Sequence, residues 1–319
     1  MPGSLRRFTA KTFGRLRPSW LFVVTACFGL HLAAREGVAA AVALAPNARL
    51  SVGRLEAFPL PGEFAALGAR RVQTHVASPA ATLVSWVAPA PEVPTKGTIL
   101  LLHGVRMDKR SLVPVAAALL DDGYRVVLTD LRGHGESSGD YLTYGAVEAR
   151  DVSAVLDSVL VSEPAGPVGV FGFSYGAVVA LELAARDERI HSVIAVAPFS
   201  SLRRVVADYE KEYLPAPLQL IPDRWFQGAV DEAGRLARFD PDARAPLALM
   251  AGLRPSVLLI HGDADTQVPA YHSRALAQAA GGRARLVTLP NESHATIFAS
   301  RAVRRETIAW FDGSLASEG

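Results

Sequence analysis

The chain has 319 residues, half of them hydrophobic, with 33 Lys and Arg against 31 Asp and Glu. That size and apolar content suit one domain with a substantial core, and beyond residue 46 the balance is 27 basic against 30 acidic residues, with no cationic excess for a nucleic-acid backbone. A single cysteine excludes an internal disulfide, and no two histidines stand at His-x-x-x-His spacing, so no metal signature is present.

In chain order, residues 1–46 read as a signal or membrane-anchor segment ahead of a catalytic domain at 47–319. Arg6, Arg7, Lys11, Arg15 and Arg17 precede an apolar run at 20–34, and small residues follow near Val38-Ala39-Ala40. Basic flank, short apolar run and small residues together form the pattern of a leader, cleaved or retained. Either form places the catalytic domain outside the cytoplasm, exported or membrane-anchored, with the basic flank inside. A helix packed on the domain of a cytoplasmic enzyme is a third reading of the same stretch. Apolar runs then predict strands at 72–78, 82–89, 97–103, 124–131, 167–173, 192–198, 256–262 and 284–290, with helical patterns in most gaps from the third strand onward. This alternation predicts an α/β fold class with a doubly wound, mostly parallel, eight-stranded sheet.

The fifth strand runs into Gly172-Phe173-Ser174-Tyr175-Gly176, and a helical pattern starts at Ala177. Strand, Gly-x-Ser-x-Gly turn and helix make an elbow that lifts the serine hydroxyl clear of the backbone and leaves the N–H of Tyr175 free to meet an oxyanion. Residues 201–254 break the alternation; Tyr209, Tyr213, Leu214, Trp225 and Phe226 stand there among Pro215, Pro217 and Pro222. They read as a small apolar lid, or as ordinary helix packed on the sheet. The seventh strand leads to His261-Gly262-Asp263-Ala264-Asp265, which offers two carboxylates, and the eighth leads to His294. Ser174, the carboxylates and His294 all follow C-terminal strand ends, where open α/β sheets place catalytic groups. Arg106 and Lys109-Arg110 read as a solvated helix start, with attraction of an anionic substrate as the second reading.

Four stretches together resemble the α/β-hydrolase-fold serine hydrolases, and in particular single-domain members with a short N-terminal membrane segment. They are Thr98-Ile99-Leu100-Leu101-Leu102-His103-Gly104; Asp130-Leu131-Arg132-Gly133-His134-Gly135-Glu136-Ser137 with Thr143-Tyr144-Gly145; the elbow; and His261-Gly262-x-x-Asp265-x-x-Val268-Pro269 with His294. The resemblance spans about residues 72–311. It implies a triad of Ser174, Asp265 and His294, choosing Asp265 over Asp263 because the family's acid stands three residues before Val-Pro. It also implies an oxyanion hole from the backbone N–H groups of Val105 and Tyr175, loop-shaping roles for His103, His134 and Asp263, and a short cap at about 201–254. His261 is read as structural. No metal or organic cofactor is required.

The resulting expectation is a serine hydrolase of carboxylic esters, lipid-derived ones included, working through an acyl-enzyme on Ser174. The partners are then a small ester or lipid-like substrate and a membrane reached through the N-terminal segment, with no nucleic acid. A peptidase of prolyl-oligopeptidase-like type ranks lower, because the chain has no propeller domain and Ala177 replaces a third glycine. Thioesterase or acyltransferase chemistry uses the same groups. A non-catalytic, membrane-tethered binding module is the alternative of another class, and such a module has no need of all three triad residues.

Overall fold

The computed structural model describes residues 18–47, 58–91, 94–161, 166–243 and 245–316. The basic flank from Arg6 to Arg17 lies outside them.

The chain opens with α1 (Pro18–Ala43) and a short α2 (Gly62–Ala66). Among the described residues no helix is long and apolar enough to cross a membrane, so the expected anchor finds no support there. Eight strands follow: β1 (Arg70–Ala77), β2 (Ala80–Ala88), β3 (Thr98–Leu102), β4 (Arg125–Thr129), β5 (Val168–Phe173), β6 (Ile190–Val196), β7 (Ser256–Gly262) and β8 (Ala284–Leu289). Each lies within two residues of its expected bounds at both ends. They form one sheet in the order β1-β2-β4-β3-β5-β6-β7-β8. The pairs β1/β2 and β2/β4 are antiparallel, and the rest are parallel.

The inner parallel strands are buried on both faces, so they are largely apolar and alternate residues serve opposite cores. In β3, Leu100 and Leu102 face one cluster, while Ile99 and Leu101 face the other. In β7, Val257 and Leu259 divide from Leu258 and Ile260 in the same way. The first face is covered by α4 (Glu148–Leu160), through Val152, Val155, Leu156 and Val159, and by α5 (Tyr175–Ala184). The second is covered by α3 (Val113–Asp121), through Val115, Ala116, Leu119 and Leu120, and by the C-terminal helix, through Val303, Phe311 and Leu315.

Residues 201–254 hold α6 (Leu202–Tyr213), α7 (Asp223–Ala237) and the one-turn α8 (Pro246–Leu249). Ser201 caps α6 by accepting the N–H of Arg204, which satisfies one of the donors a helix start leaves open. The chain then closes with α9 (Tyr271–Ala279), the short α10 (His294–Ile297) and α11 (Arg301–Leu315).

Lys109 departs from the sequence reading, being fully buried rather than solvated. Its Nζ donates to Asp130 Oδ2 at 2.5 Å and to Glu136, and it lies 4.8 Å from the centre of the Trp86 ring. Asp130 also accepts the backbone N–H groups of Lys109 and Glu136, at 2.7 and 2.8 Å. A buried ion pair survives only with its remaining hydrogen bonds satisfied. This one ties the loop after β4 to the loop after β3, so Lys109 is unavailable to a substrate. Arg110 is likewise occupied, with its guanidinium on Asp108 at 2.6 Å.

Candidate active site

The elbow between β5 and α5 is built by close approach. A Cβ on Gly172 would overlap the carbonyl of Gly176, and one on Gly176 would overlap that of Leu102. Ser174 sits in the turn with φ 52° and ψ −111°, a strained conformation for a residue with a side chain. Its N–H donates to Val196 O at 2.8 Å, which pins the turn to the neighbouring β6.

The loops after β7 and β8 are also pressed together. A Cβ on Gly262 would overlap the carbonyl of Glu292. Ala264 N–H donates to that carbonyl at 3.1 Å, and Asp263 N–H donates to Leu289 O at 3.0 Å. Ser293 then caps α10 in a reciprocal box with Thr296, which fixes His294 in the first turn.

These loops bring Ser174, His294 and Asp265 into one line. Ser174 Oγ lies 3.0 Å from His294 Nε2, and His294 Nδ1 lies 2.7 Å from Asp265 Oδ2. The imidazole leans on Phe173, with ring centres 5.1 Å apart. Asp265 Oδ1 accepts the N–H of Val268 at 2.8 Å. Burial pushes the Asp265 carboxyl up, but hydrogen bonding to His261 and His294 outweighs it and holds the pKa down at about 2. His261 lies 3.5 Å from Asp265 and is held by Ser273 and by Val268 O. Asp263 instead accepts the N–H of Asn291 at 2.7 Å. His103 and His134 are buried in their own loops; His103 Nε2 accepts the N–H of Leu131, and His134 Nδ1 donates to Arg132 O.

Ser174, Val105, Tyr175 and His294 open on a cleft of about 590 Å³. That volume is in the range of small-molecule sites. Leu202, Val205, Tyr209 and Tyr213 from α6 and Phe226 from α7 line it, whereas Trp225 turns aside to donate to His31 Nδ1 at 3.1 Å. Arg106 and Glu210 bring charge to the lining, and burial raises the Glu210 carboxyl pKa.

A second array was not legible in the sequence. His272 Nδ1 accepts from Ser200 Oγ at 2.8 Å and from Ser200 N–H at 3.1 Å, and its Nε2 meets Asp208 Oδ2 at 2.9 Å. Tyr271 donates to the same Asp208 oxygen at 2.5 Å. Ser200 and His272 are fully buried, and the array latches α6 to α9. No local motif marks it, because its members are 64 and 72 residues apart.

Burial lowers the pKa of three histidines, His103 and His272 to about 4 and His134 to about 3. Each is neutral in the fold and takes up a proton near pH 6.5 when the chain unfolds. Their contribution to stability is therefore whole above pH 6.5 and is lost as pH falls toward 4 and, for His134, toward 3. Asp130 and Asp151, whose carboxyls burial pushes up, act the other way at the acid end. Between pH 7 and pH 5 the three histidines lower Tm by on the order of 10 °C. Thermal melts across that range check it, and an unchanged Tm would mean that these rings titrate in the fold as they do in the unfolded chain.

Comparison with known proteins gives one result at the level of family and another at the level of fold. The profile of the alpha/beta hydrolase family matches residues 99–306. Uncharacterized protein YqkD of Bacillus subtilis is 31% identical over 225 residues, covering 68% of this chain and 71% of that one. Uncharacterized protein YfhR of Escherichia coli K12 is 26% identical over 227 residues, covering 69% and 71%. Among solved structures, the Pyrococcus furiosus esterase Pf2001 superposes with a TM-score of 0.65 at 21% identity, covering 82% of this chain and 97% of that one. Est1E of Butyrivibrio proteoclasticus, solved with ferulic acid bound, gives a TM-score of 0.58 at 19% identity, covering 74% and 96%. With the family profile spanning the elbow and the loops that carry Asp265 and His294, the chain belongs to the alpha/beta hydrolase family.

Proposed function

We propose that the protein is a serine hydrolase that cleaves carboxylic esters through an acyl-enzyme on Ser174. The observation that carries this reading is the hydrogen-bonded line Ser174–His294–Asp265 opening on an apolar cleft. With Nδ1–H donating to Asp265, Nε2 of His294 is the acceptor facing Ser174 Oγ. It takes the hydroxyl proton as Oγ attacks the ester carbonyl, then returns that proton to the departing alcohol. Asp265 stays ionised, fixes the tautomer and stabilises the imidazolium. The backbone N–H groups of Tyr175 and Val105 are the proposed donors to the tetrahedral oxyanion, and one such donor is typically worth ~3 kcal/mol. Water then enters by the same route, with His294 as base, and releases the acid.

Two further points support esters. The fold likenesses include the Pyrococcus and Butyrivibrio esterases. The cleft is lined largely by apolar side chains, which suit an acyl chain better than a charged peptide. Each methylene buried there is worth ~0.8 kcal/mol, or about fourfold in kcat/KM. With p-nitrophenyl esters from acetate to palmitate, kcat/KM is therefore expected to climb from acetate and to fall once the chain outgrows the cleft. No turnover of any ester, with turnover of a peptide or thioester, would replace this reading by the corresponding one.

A further inference from the structure

One wall of the cleft comes from outside the sheet and its covering helices. Val38, Ala41, Val42, Leu44 and Pro46, at the end of α1 and in the turn after it, face the same space as Ser174. These residues belong to the segment whose sequence reads as a leader.

The wall is fixed along its length. Upstream, the Arg35 guanidinium donates to Gly228 O at 2.6 Å and fills the room that a side chain at position 228 would need. Ala39 and Ala43 are buried against Ala233 and Ala237 of α7, and these small side chains allow the two helices to approach closely. At the end of α1, the Tyr144 hydroxyl donates to Val42 O at 2.8 Å, and Leu142 N–H donates to Ala43 O at 2.8 Å. Beyond it, Ala45 N–H donates to Asp140 O at 2.9 Å, and the Asn47 amide donates to Gly135 O and Ser137 O at 3.0 Å each. Backbone held at so many points keeps its course when a side chain facing the cleft is changed.

We propose that residues 38–46 are a specificity element that sets the length and bulk of the acyl group the cleft accepts. The proposal rests on reading that cleft as the acyl site. The small residues around Ala39 that resemble a processing signal serve here as packing surface, with Ala39 only 1% exposed. Cutting the chain there would release Val38 from the wall and remove the contact of Arg35 with Gly228 that holds α1 on α7 upstream. Val42 is the position of greatest effect, because it lines the cleft and is half-buried between α7 and the loop carrying Tyr144.

The test is the rate at which methyl- and octyl-chain fluorophosphonates label Ser174 in the full chain, in Val42→Trp and in Ala41→Trp. Ala41 is at the exposed rim of the cleft, so its variant folds even if the change at the half-buried Val42 does not. The octyl-to-methyl ratio is expected to fall by about tenfold in either variant, the scale of discrimination a pocket gives for a change of methylene size or more. A ratio within about twofold of the parent in the folded variants would overturn the proposal. Because labelling needs no ester turnover, the two readings fail separately. A shifted ratio in an enzyme that hydrolyses no ester removes the ester reading and keeps the wall. Ester turnover with an unshifted ratio does the reverse.

Discussion

Ser174→Ala is expected to lower ester turnover by about 10⁴ to 10⁶ while the protein remains folded. The size of the loss follows from the division of labour at the elbow. Without Oγ no acyl-enzyme forms, and what survives is binding and oxyanion stabilisation acting on water, together about 10³ to 10⁴ over the uncatalysed rate. The fold is spared because the backbone does the structural work at this turn. The glycines at 172 and 176 fit the crossing, and the N–H of residue 174 pins it to Val196 O. Intact melting with lost turnover is the expected pair of results. Turnover near that of the parent would take Ser174 out of the mechanism.

Asp265→Asn is expected to lower kcat by about 10³ to 10⁴, and Asp263→Asn by less than about tenfold. Asp265 is the carboxylate on His294 Nδ1, and with a pKa held at about 2 it stays charged at every working pH. An amide there carries no charge to stabilise the imidazolium, and its N–H₂ favours the tautomer that puts a proton on Nε2. Nε2 can then no longer accept from Ser174. Asn at 263 keeps a carbonyl oxygen for the N–H of Asn291, so its loop loses little. Steady-state kinetics of the two variants give the ranking, and the reverse order would move the acid to Asp263.

The sheet was legible because its signal is local. Apolar runs such as Thr98-Ile99-Leu100-Leu101-Leu102 are what a strand buried on both faces requires, and the glycines around Ser174 mark a turn within five residues. The choice between Asp263 and Asp265 is not local. Both stand in the same loop; the spacing to Val268-Pro269 picks Asp265 only through the family resemblance, and the fold shows the contacts themselves, Asp265 with His294 and Asp263 with Asn291. Lys109 reads as a surface residue because sequence gives no sign that Asp130 and Glu136 converge on it under Trp86. The array of Ser200, Asp208 and His272 is hidden for the same reason.

The N-terminal stretch shows a different limit. A short apolar run behind basic residues has the composition of a leader and also that of a helix packing on an apolar cap. Composition cannot separate the two, because both exclude water from alanine, valine and leucine side chains. For residues 35–47 the fold adds tertiary pairings that composition does not show: Arg35 with Gly228, Val42 with Tyr144 and Asn47 with the loop after β4.

The most direct test of the central claim is to titrate the full chain with a fluorophosphonate, following ester hydrolysis and locating the adduct by mass spectrometry. One adduct per chain is expected, on Ser174, with hydrolysis lost in proportion to its formation. Hydrolysis that persists after Ser174 is fully modified, or is lost through an adduct on another residue, would contradict it.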